Sequence, residues 1–179
     1  MTIQSPDLSG VEKLAAHHFV KNFKSTEHSL NHWLRRYALA NQLADSAQTY
    51  VVHRGGAVVG YYSLVYGDFA LETCPGPVQN GMPPNYPVPV IKIARLAVDR
   101  AEAGRGLGRA LMKDAFVRIL AAAEIGGLRA VAVNALHEDA KRYYVRNFGF
   151  EESPTDPLLL FLRIADLRLA SGTPTNATP

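Results

Sequence analysis

The chain has 179 residues, 47% apolar and 20% charged, which is the size and composition of one globular domain with a substantial core. No run of about 18 apolar residues occurs and the first residues lack the basic and apolar regions of a signal peptide, so we expect no membrane span and a cytoplasmic protein. The single cysteine excludes an intramolecular disulfide, and the net charge of +3 is too small to indicate a nucleic-acid-binding protein by itself.

The first predicted element is a helix over residues 26–44. Apolar side chains such as Trp33 and Leu34 recur there at three- and four-residue spacing, which places them on one face of a helix. Ser25 or Thr26 can cap the start of this helix, because their hydroxyl groups accept hydrogen bonds from first-turn N–H groups.

Two segments rich in β-branched and aromatic residues follow, at 49–54 and 57–66. The Gly55-Gly56 pair between them is typical of a tight turn, so we expect an antiparallel hairpin. Residues 72–89 contain six prolines and two glycines, which predicts a loop without regular structure. A loop of that length either serves binding, as a flap beside a substrate, or is a tolerated surface insertion.

The rest of the chain alternates between strands and helices. The predicted elements are a buried strand at 90–98, a helix at 106–125, a buried strand at 128–135, a helix from His137 to a cap at Gly149, and a strand at 158–164. This order predicts an α/β fold in a single domain over residues 1–170, with a disordered tail at 171–179. Because the middle strands are apolar throughout, we expect their sheet to be covered on both faces.

The turn between the strand at 90–98 and the next helix contains Gly104, Gly106 and Gly108. Uncovered backbone N–H groups that open a helix attract anions, so this turn is typical of a phosphate-binding site. It is not a P-loop, because Gly-Lys-Ser/Thr is missing, and its glycine spacing is not that of a dinucleotide site. Seven basic and three acidic residues within 92–118 indicate either an anionic ligand, such as polyphosphate or RNA, or a solvated helix face.

The six histidines show no convincing metal-binding pattern. His28 and His32 are four residues apart on the first predicted helix, where two imidazoles can share one face. No third ligand accompanies them, so we predict that the protein holds no metal.

Four segments together resemble the GNAT superfamily of N-acetyltransferases: IARLAVDR, AGRGLGRAL, VAVNA and AKRYYVRNFGF. The resemblance implies a mixed, twisted sheet flanked by helices, with acetyl-CoA as co-substrate. It assigns the pyrophosphate of acetyl-CoA to the glycine turn, which comprises Gly104, Arg105, Gly106, Leu107, Gly108 and Arg109. Ala103 stands where the family has Gln or Arg, so the two arginines would supply side-chain charge in its place.

The resemblance assigns the proton that the departing thiolate requires to Tyr144. A phenol with a pKa of about 10 can serve as such a general acid. Core packing is the alternative role for Tyr144, since it lies on the apolar face four residues after Ala140. The amide-rich pantetheine arm is assigned to the backbone of Ala97 and Val98, with Asn134 as a further polar contact.

Nearly the whole chain, residues 11–168, is similar to the GNAT toxins of bacterial type II toxin–antitoxin modules. Among the similar segments are SLNHWLRRYALANQ, TYVVHRGGAVVGYYSL and DPLLLFLRIADL. That group acetylates the α-amino group of aminoacyl-tRNA and blocks translation, which implies a homodimer and a ribbon-helix-helix antitoxin as partners. The alternatives are a GNAT enzyme of protein N-termini or of a small-molecule amine, and a non-catalytic GNAT-like binding protein.

The residues themselves favour an α-amino acceptor. Such an amine has a pKa of about 7.7–8.0 and needs little help to lose its proton, whereas a lysine side chain at about 10.4 needs a dedicated base. The carboxylates of Glu138 and Asp139 stand at a helix start, where capping explains them. Lys92 and Arg95 are candidate contacts to an anionic substrate. Because an unpaired charge in an apolar strand is costly, Arg95 needs either a carboxylate or a substrate phosphate.

Overall fold

The computed structural model describes residues 6–172, and the strands in this range form one sheet. The strands are Glu12–Lys13 (β1), Gln48–Arg54 (β2), Ala57–Phe69 (β3), Val88–Val98 (β4), Ala130–Asn134 (β5), Glu151–Glu152 (β6) and Leu159–Arg163 (β7). The helices are His28–Arg36 (α1), Ala38–Leu43 (α2), Gly76–Gln79 (α3), Leu107–Ile125 (α4), Glu138–Phe148 (α5) and Ile164–Ser171 (α6). The strand order is β1-β2-β3-β4-β5-β7-β6, which confirms the predicted α/β fold with a mixed sheet.

The pairing of the strands confirms the predicted hairpin and the predicted strand–helix–strand segment. β2 and β3 form an antiparallel hairpin whose turn residues, Gly55 and Gly56, have φ of +54° and +87°. These left-handed conformations suit glycine and match the twist of a two-residue turn. β4 and β5 are parallel and are connected through α4, with Val90 opposite Ala130 and Lys92 opposite Ala132.

The predicted helix at 26–44 is divided in the structure. α1 and α2 meet at Tyr37, whose φ of −123° interrupts the helical backbone. The predicted cap is also wrong, because Glu27 holds the N-cap position without a side-chain hydrogen bond. The Ser25 hydroxyl donates instead to Asn31 Oδ1 at 2.7 Å, and the Ser25 N–H donates to the same oxygen at 2.8 Å.

The proline-rich segment is more ordered than the sequence predicted. A 3₁₀ turn at Leu71–Thr73 and the short helix α3 lie within or beside it, so the prediction of a loop without regular structure is wrong there. The Arg129 guanidinium donates to the carbonyl oxygens of Val78 at 2.9 Å and Asn80 at 2.5 Å. The Ser153 hydroxyl donates to the Thr73 carbonyl at 2.6 Å. These bonds hold the segment against its own unit and favour a packed insertion over a flap.

The fold comprises two compact units, each with its own core. The first contains the described residues up to Val65 together with Ile93–Ala115. Its buried side chains include Phe23, Trp33, Leu34, Val51, Tyr61 and Ala97. The second contains Tyr66–Lys92 and the described residues from Phe116 onward. Its buried side chains include Cys74, Val78, Val90, Ala132, Leu159 and Phe161.

The C-terminal part of the chain differs from the prediction in one element. α6 begins directly after β7 and ends at Ser171, where Gly172 caps it with φ of +70°. The predicted domain end at residue 170 therefore falls one residue short of the helix end. Residues 173–179 of the predicted tail lie outside the described residues.

Candidate active site

The end of β4 is fixed by Asp99, the residue that follows the strand. Asp99 Oδ1 accepts a hydrogen bond from the Ala101 N–H at 2.9 Å, and Oδ2 accepts from the Lys24 N–H at 2.8 Å. The Arg100 N–H returns a bond to the Lys24 carbonyl at 2.9 Å. One carboxylate thus satisfies two backbone donors and sets the direction in which the chain enters the glycine turn.

Glu102 holds the same turn through ion pairs. Its side chain is buried, and its carboxylate accepts from Arg54 Nε at 2.7 Å and from Arg54 NH2 at 3.3 Å. Arg105 adds a longer contact of 3.5 Å. The hydrogen bonds from Arg54 lower the pKa of Glu102, against the opposing effect of its desolvation. Part of the charge of Arg105 is therefore directed at Glu102 within the turn.

The glycines of the turn have two different functions. Gly104 and Gly106 have φ of +74° and +80°, and a Cβ on either would meet no atom within 4 Å. They are required by backbone conformation and not by lack of space. Gly108 is not among the left-handed glycines and lies in the first turn of α4. The first N–H groups of a helix, here those of Leu107, Gly108 and Arg109, have no acceptor within their own helix.

The start of α4 approaches β3 closely at Gly60. A Cβ at Gly60 would lie 3.0 Å from Leu111 Cδ1 and 3.2 Å from Leu107 Cδ2. Any larger residue would push the first turn of α4 away from the strand. Gly60 therefore fixes the position of the N–H groups that open this helix.

Arg95 lies on an aromatic face. Its guanidinium carbon is 4.2 Å from the centre of the Trp33 ring, a cation–π contact. Burial lowers the pKa of Arg95, because loss of water disfavours the charged form. Within residues 6–172, neither a carboxylate nor a hydrogen-bond acceptor pairs with it. The sequence left two partners open for Arg95, a carboxylate and a substrate phosphate, and no carboxylate within residues 6–172 pairs with it.

Lys92 has a similar environment on the second unit. Its ammonium nitrogen is 4.7 Å from the centre of the Phe69 ring. The stem of Lys92 passes over Gly67, where a Cβ would lie 2.9 Å from Lys92 Cε. Gly67 therefore provides the space in which Lys92 lies against β3, and this role of Gly67 was not visible in the sequence.

The predicted backbone contacts lie at the ends of the parallel strands. Lys92 is the last residue of β4 that pairs with β5, so Ala97 and Val98 follow the part of β4 that pairs with β5. Ala97 is buried and Val98 is half-buried. Asn134 is the exposed final residue of β5, opposite Leu159.

α5 ends at the cap that the sequence predicts, but its N-cap is His137 and not Glu138 or Asp139, where the sequence placed capping. His137 accepts a hydrogen bond from the Ala140 N–H at its Nδ1, and Gly149 closes the helix with φ of +76°. Glu138 pairs with Lys141 at 3.8 Å, and Asp139 pairs with Arg142. The two carboxylates are exposed and lie in the first turn of α5, at the helix start where the sequence places them.

Tyr144 is the buried residue of α5 and is 8% exposed. Its ring packs edge-on against Phe150 at 5.7 Å and Tyr143 at 5.4 Å between centroids. Burial raises its pKa, so the phenol keeps its proton at neutral pH. Its hydroxyl makes no hydrogen bond with any described residue and is not fully enclosed, so the O–H group is available to a ligand.

A group with the composition of a metal site lies elsewhere, at Glu12, His17 and His18. His18 Nδ1 accepts from the Ala15 N–H at 2.9 Å, so the proton of the neutral ring is on Nε2, which contacts Glu12 Oε1 at 2.7 Å. A metal would have to displace that proton. Hydrogen bonding therefore accounts for the contact between Glu12 and His18. His28 and His32, the spaced pair for which no metal was predicted, do not belong to this group.

The family of the chain follows from a model of the Acetyltransferase (GNAT) family, which matches residues 11–150. That range extends from the start of the sheet through β4, the glycine turn, α4, β5 and Tyr144. The chain belongs to the GNAT family of acetyltransferases. The resemblance drawn from the sequence is thereby confirmed, and the parallel pair of β4 and β5 joined by α4 is the GNAT segment that carried it.

Among GNAT proteins, the chain is similar to toxins, one of which is a tRNA-acetylating toxin. It is 49% identical over 153 residues to a tRNA-acetylating toxin of Mycobacterium tuberculosis, covering 86% of this chain and 90% of that one. The structure of AtaT complexed with acetyl-methionyl-tRNAfMet has a TM-score of 0.84 at 26% identity and covers 92% and 99% of the two chains. A mutant of AtaT bound to the C-terminus of the antitoxin AtaR and acetyl-CoA has a TM-score of 0.77 at 24% identity and covers 92% and 97%.

Sequence reasoning missed several residues that shape this GNAT site. Trp33 was placed only on the apolar face of the first predicted helix, and Glu102, Arg54 and Gly60 were not singled out. An acidic residue inside the basic segment 92–118 was the available signal for Glu102.

As for membranes, none of the helices within residues 6–172 is long and apolar enough to cross one.

Proposed function

We propose that this GNAT enzyme transfers the acetyl group of acetyl-CoA to the α-amino group of aminoacyl-tRNA and thereby blocks translation as a toxin. The observation that carries the proposal is the 49% identity with a tRNA-acetylating toxin over 90% of that protein's length. The family match also spans both the glycine turn and Tyr144, which supports assigning the chemistry to them.

The donor binds through backbone groups in this proposal. The first N–H groups of α4, at Leu107, Gly108 and Arg109, bind the pyrophosphate of acetyl-CoA together with the turn at 104–106. Two left-handed glycines and the ion pair of Glu102 with Arg54 support that assignment, because they hold the turn in one conformation before a ligand arrives.

The pantetheine arm pairs with the backbone of Ala97 and Val98, and Asn134 adds a polar contact. The support for this step is that both backbone positions follow the part of β4 that pairs with β5. Amide groups of the arm would then take hydrogen bonds that a neighbouring strand would otherwise provide.

Tyr144 acts as the general acid of the transfer. The amine nitrogen attacks the thioester carbonyl, an N–C bond forms, and the C–S bond breaks. The phenol O–H gives its proton to the sulfur, which leaves as the thiol, and the amine gives its surplus proton to solvent, from which the phenolate is reprotonated. A pKa raised by burial supports this role by keeping the donor protonated.

The acceptor is an α-amino group in this proposal. The acidic side chains at the start of α5, Glu138 and Asp139, are exposed and paired with Lys141 and Arg142, and so are not placed as a base. An α-amino group with a pKa of about 7.7–8.0 reacts without one. Lys92 and Arg95 contact the anionic tRNA, which their lack of a carboxylate partner in the described part of the chain supports.

The partners follow from the same group of proteins. We expect a homodimer in the cytoplasm and neutralisation by a ribbon-helix-helix antitoxin. Expression of the chain alone should stop growth, and co-expression of such an antitoxin should restore it. Normal growth in the presence of abundant, folded enzyme contradicts the toxin assignment.

The direct test is incubation of the enzyme with acetyl-CoA and charged total tRNA, followed by identification of the acetylated aminoacyl species by mass spectrometry. Acetyl groups should appear on the α-amino nitrogen of one or a few aminoacyl-tRNAs. The Tyr144→Phe enzyme, checked for folding by circular dichroism, is the matched control. Acetylation of peptide N-termini or small amines with no reaction on any aminoacyl-tRNA contradicts the proposal.

A further inference from the structure

Three side chains of the first unit form a layered stack. The rings of Trp33 and Tyr61 are stacked with an interplanar angle of 13° and centroids 6.1 Å apart. Arg95 covers Trp33, with its guanidinium carbon 4.2 Å from the ring centre. The hydroxyl of Tyr61 donates to the Leu30 carbonyl at 2.8 Å, which fixes the base of the stack. Trp33 and Tyr61 are both buried, so Arg95 rests on a rigid support.

Arg95 differs from four other partly buried cations of this protein, whereas Lys92 resembles it in having no carboxylate partner within residues 6–172. Arg54 pairs with Glu102, Arg163 pairs with Asp166 at 2.8 Å, and Lys141 pairs with Glu152 at 2.7 Å. Arg129 is bonded to carbonyl oxygens. Arg95 is half-buried, yet none of its N–H donors has an acceptor among residues 6–172. Desolvation without an acceptor is unfavourable, so this arrangement is suited to an anion from outside the chain.

The geometry selects the type of anion. A guanidinium held against a ring has one face covered, and its five N–H donors point outward in its own plane. Two parallel N–H groups match the two non-bridging oxygens of a phosphodiester. An ammonium group in the same place would provide charge without this fixed direction.

We propose that Trp33 is a positioning residue that holds Arg95 as a bidentate clamp for one phosphodiester at the acceptor end of tRNA. The inference rests on the proposed function and extends it, since the clamp separates an amino acid carried by tRNA from a free amino acid or ester. Acetyl-CoA also carries phosphate groups, and the experiment distinguishes the two sources.

The first arm compares the substrates of the wild-type, Arg95→Lys and Arg95→Gln enzymes. The KM for aminoacyl-tRNA should rise about tenfold in both variants, because lysine restores charge but not the planar pair of donors. The KM for acetyl-CoA and the rate with an amino acid methyl ester, which has no phosphodiester, should remain within about twofold of wild type. Arg36→Gln, which removes an exposed cation from α1, is the matched control and should change each value less than about threefold.

The second arm tests Trp33 with Trp33→Phe, which keeps a ring in the core but weakens the cation–π contact. This variant should raise the KM for aminoacyl-tRNA about threefold in the wild-type background and have no further effect in the Arg95→Lys background. Equal effects in both backgrounds contradict the positioning role. Trp33→Tyr serves the same purpose if thermal melting shows that Trp33→Phe does not fold.

The third arm keeps the inference separate from the proposed function. Binding of uncharged tRNA is measured by fluorescence anisotropy at several salt concentrations, which requires no acetyl transfer. Arg95→Gln should lower the slope of log K against log salt by roughly 0.7–0.9, the loss of one phosphate contact. An unchanged slope and unchanged KM for tRNA overturn the clamp. A rise only in the KM for acetyl-CoA, absent with acetyl-pantetheine, assigns Arg95 to the donor and also overturns it.

Discussion

The turn after β4 and the helix α5 provide two contrasting kinds of site. In the turn, residues 104–109 are mostly exposed and offer backbone N–H groups, and the side chains of Asp99 and Glu102 hold that backbone in place. In α5, the backbone is an ordinary capped helix, and a single buried side chain, Tyr144, offers the functional group.

The difference predicts how each region responds to mutation. A backbone site depends on conformation, so its variants should weaken the binding of acetyl-CoA and raise KM. A single side-chain O–H group depends on chemistry, so its loss should lower kcat and leave KM nearly unchanged. Each of the following predictions tests that division, beginning with the largest effect.

Tyr144→Phe should lower kcat about 10²–10⁴-fold, the usual value of general acid catalysis, because it removes the O–H group and keeps the ring. The KM for acetyl-CoA should change less than about twofold, and the melting temperature should be nearly unchanged, because the contacts with Phe150 and Tyr143 are retained. Steady-state kinetics with thermal melting measure all three. Tyr143→Phe, the neighbouring control, should lower kcat less than about tenfold. Equal losses of kcat at both positions would exclude Tyr144 as the proton donor.

Gly106→Val should raise the KM for acetyl-CoA at least about tenfold, because a β-branched residue at φ of +80° strains the turn by roughly 1–2 kcal/mol or moves it. The value of kcat at saturating acetyl-CoA should change much less. Isothermal titration calorimetry with acetyl-CoA measures the binding directly. Gly127→Val, at an open position without a left-handed φ, is the control, and normal binding by Gly106→Val refutes a backbone site at the turn.

Glu102→Gln should raise the KM for acetyl-CoA about threefold, because the turn loses its charged contacts with Arg54 and Arg105. Because the folded pKa of Glu102 lies below its unfolded value of about 4.3, its stabilising effect is present above that pH and is lost as pH falls through the folded value. Urea denaturation between pH 3 and 7 should therefore show that the free energy of unfolding falls less steeply with decreasing pH in the variant than in wild type. An acid profile identical to that of wild type would mean that Glu102 is not the group that titrates.

The last prediction concerns alkaline stability. Burial raises the pKa of Tyr144 and of Tyr61, so both remain protonated in the folded protein when the unfolded chain begins to lose these protons near pH 10. Stability is full below that pH and falls as pH rises above it. Tyr144→Phe should reduce the slope of the free energy of unfolding against pH by at most about 1.4 kcal/mol per pH unit. Denaturation at pH 9–11 measures this slope. No change in slope would indicate that Tyr144 ionises freely.

The sequence predicted the elements whose signals are local. Gly55-Gly56 marked the hairpin, Gly149 marked the end of α5, and the order of apolar strand, glycine turn and helix marked β4 and α4. It did not predict α6, because the apolar run at 158–164 continues from β7 into the helix without a glycine or proline between them. β1 and β6 contain only two polar residues each and exist through pairing with distant strands, so no local pattern indicates them.

The sequence by itself determined the family, the glycine turn at 104–108 and the candidate tyrosine, because each depends on residues that are neighbours along the chain. Only the tertiary structure decided what holds the turn and what supports Arg95. Glu102 meets Arg54 across 48 positions of sequence, and Arg95 meets Trp33 from a different element. Such contacts arise when strands and helices pack together, and one sequence contains no period or spacing that encodes which distant side chains will meet.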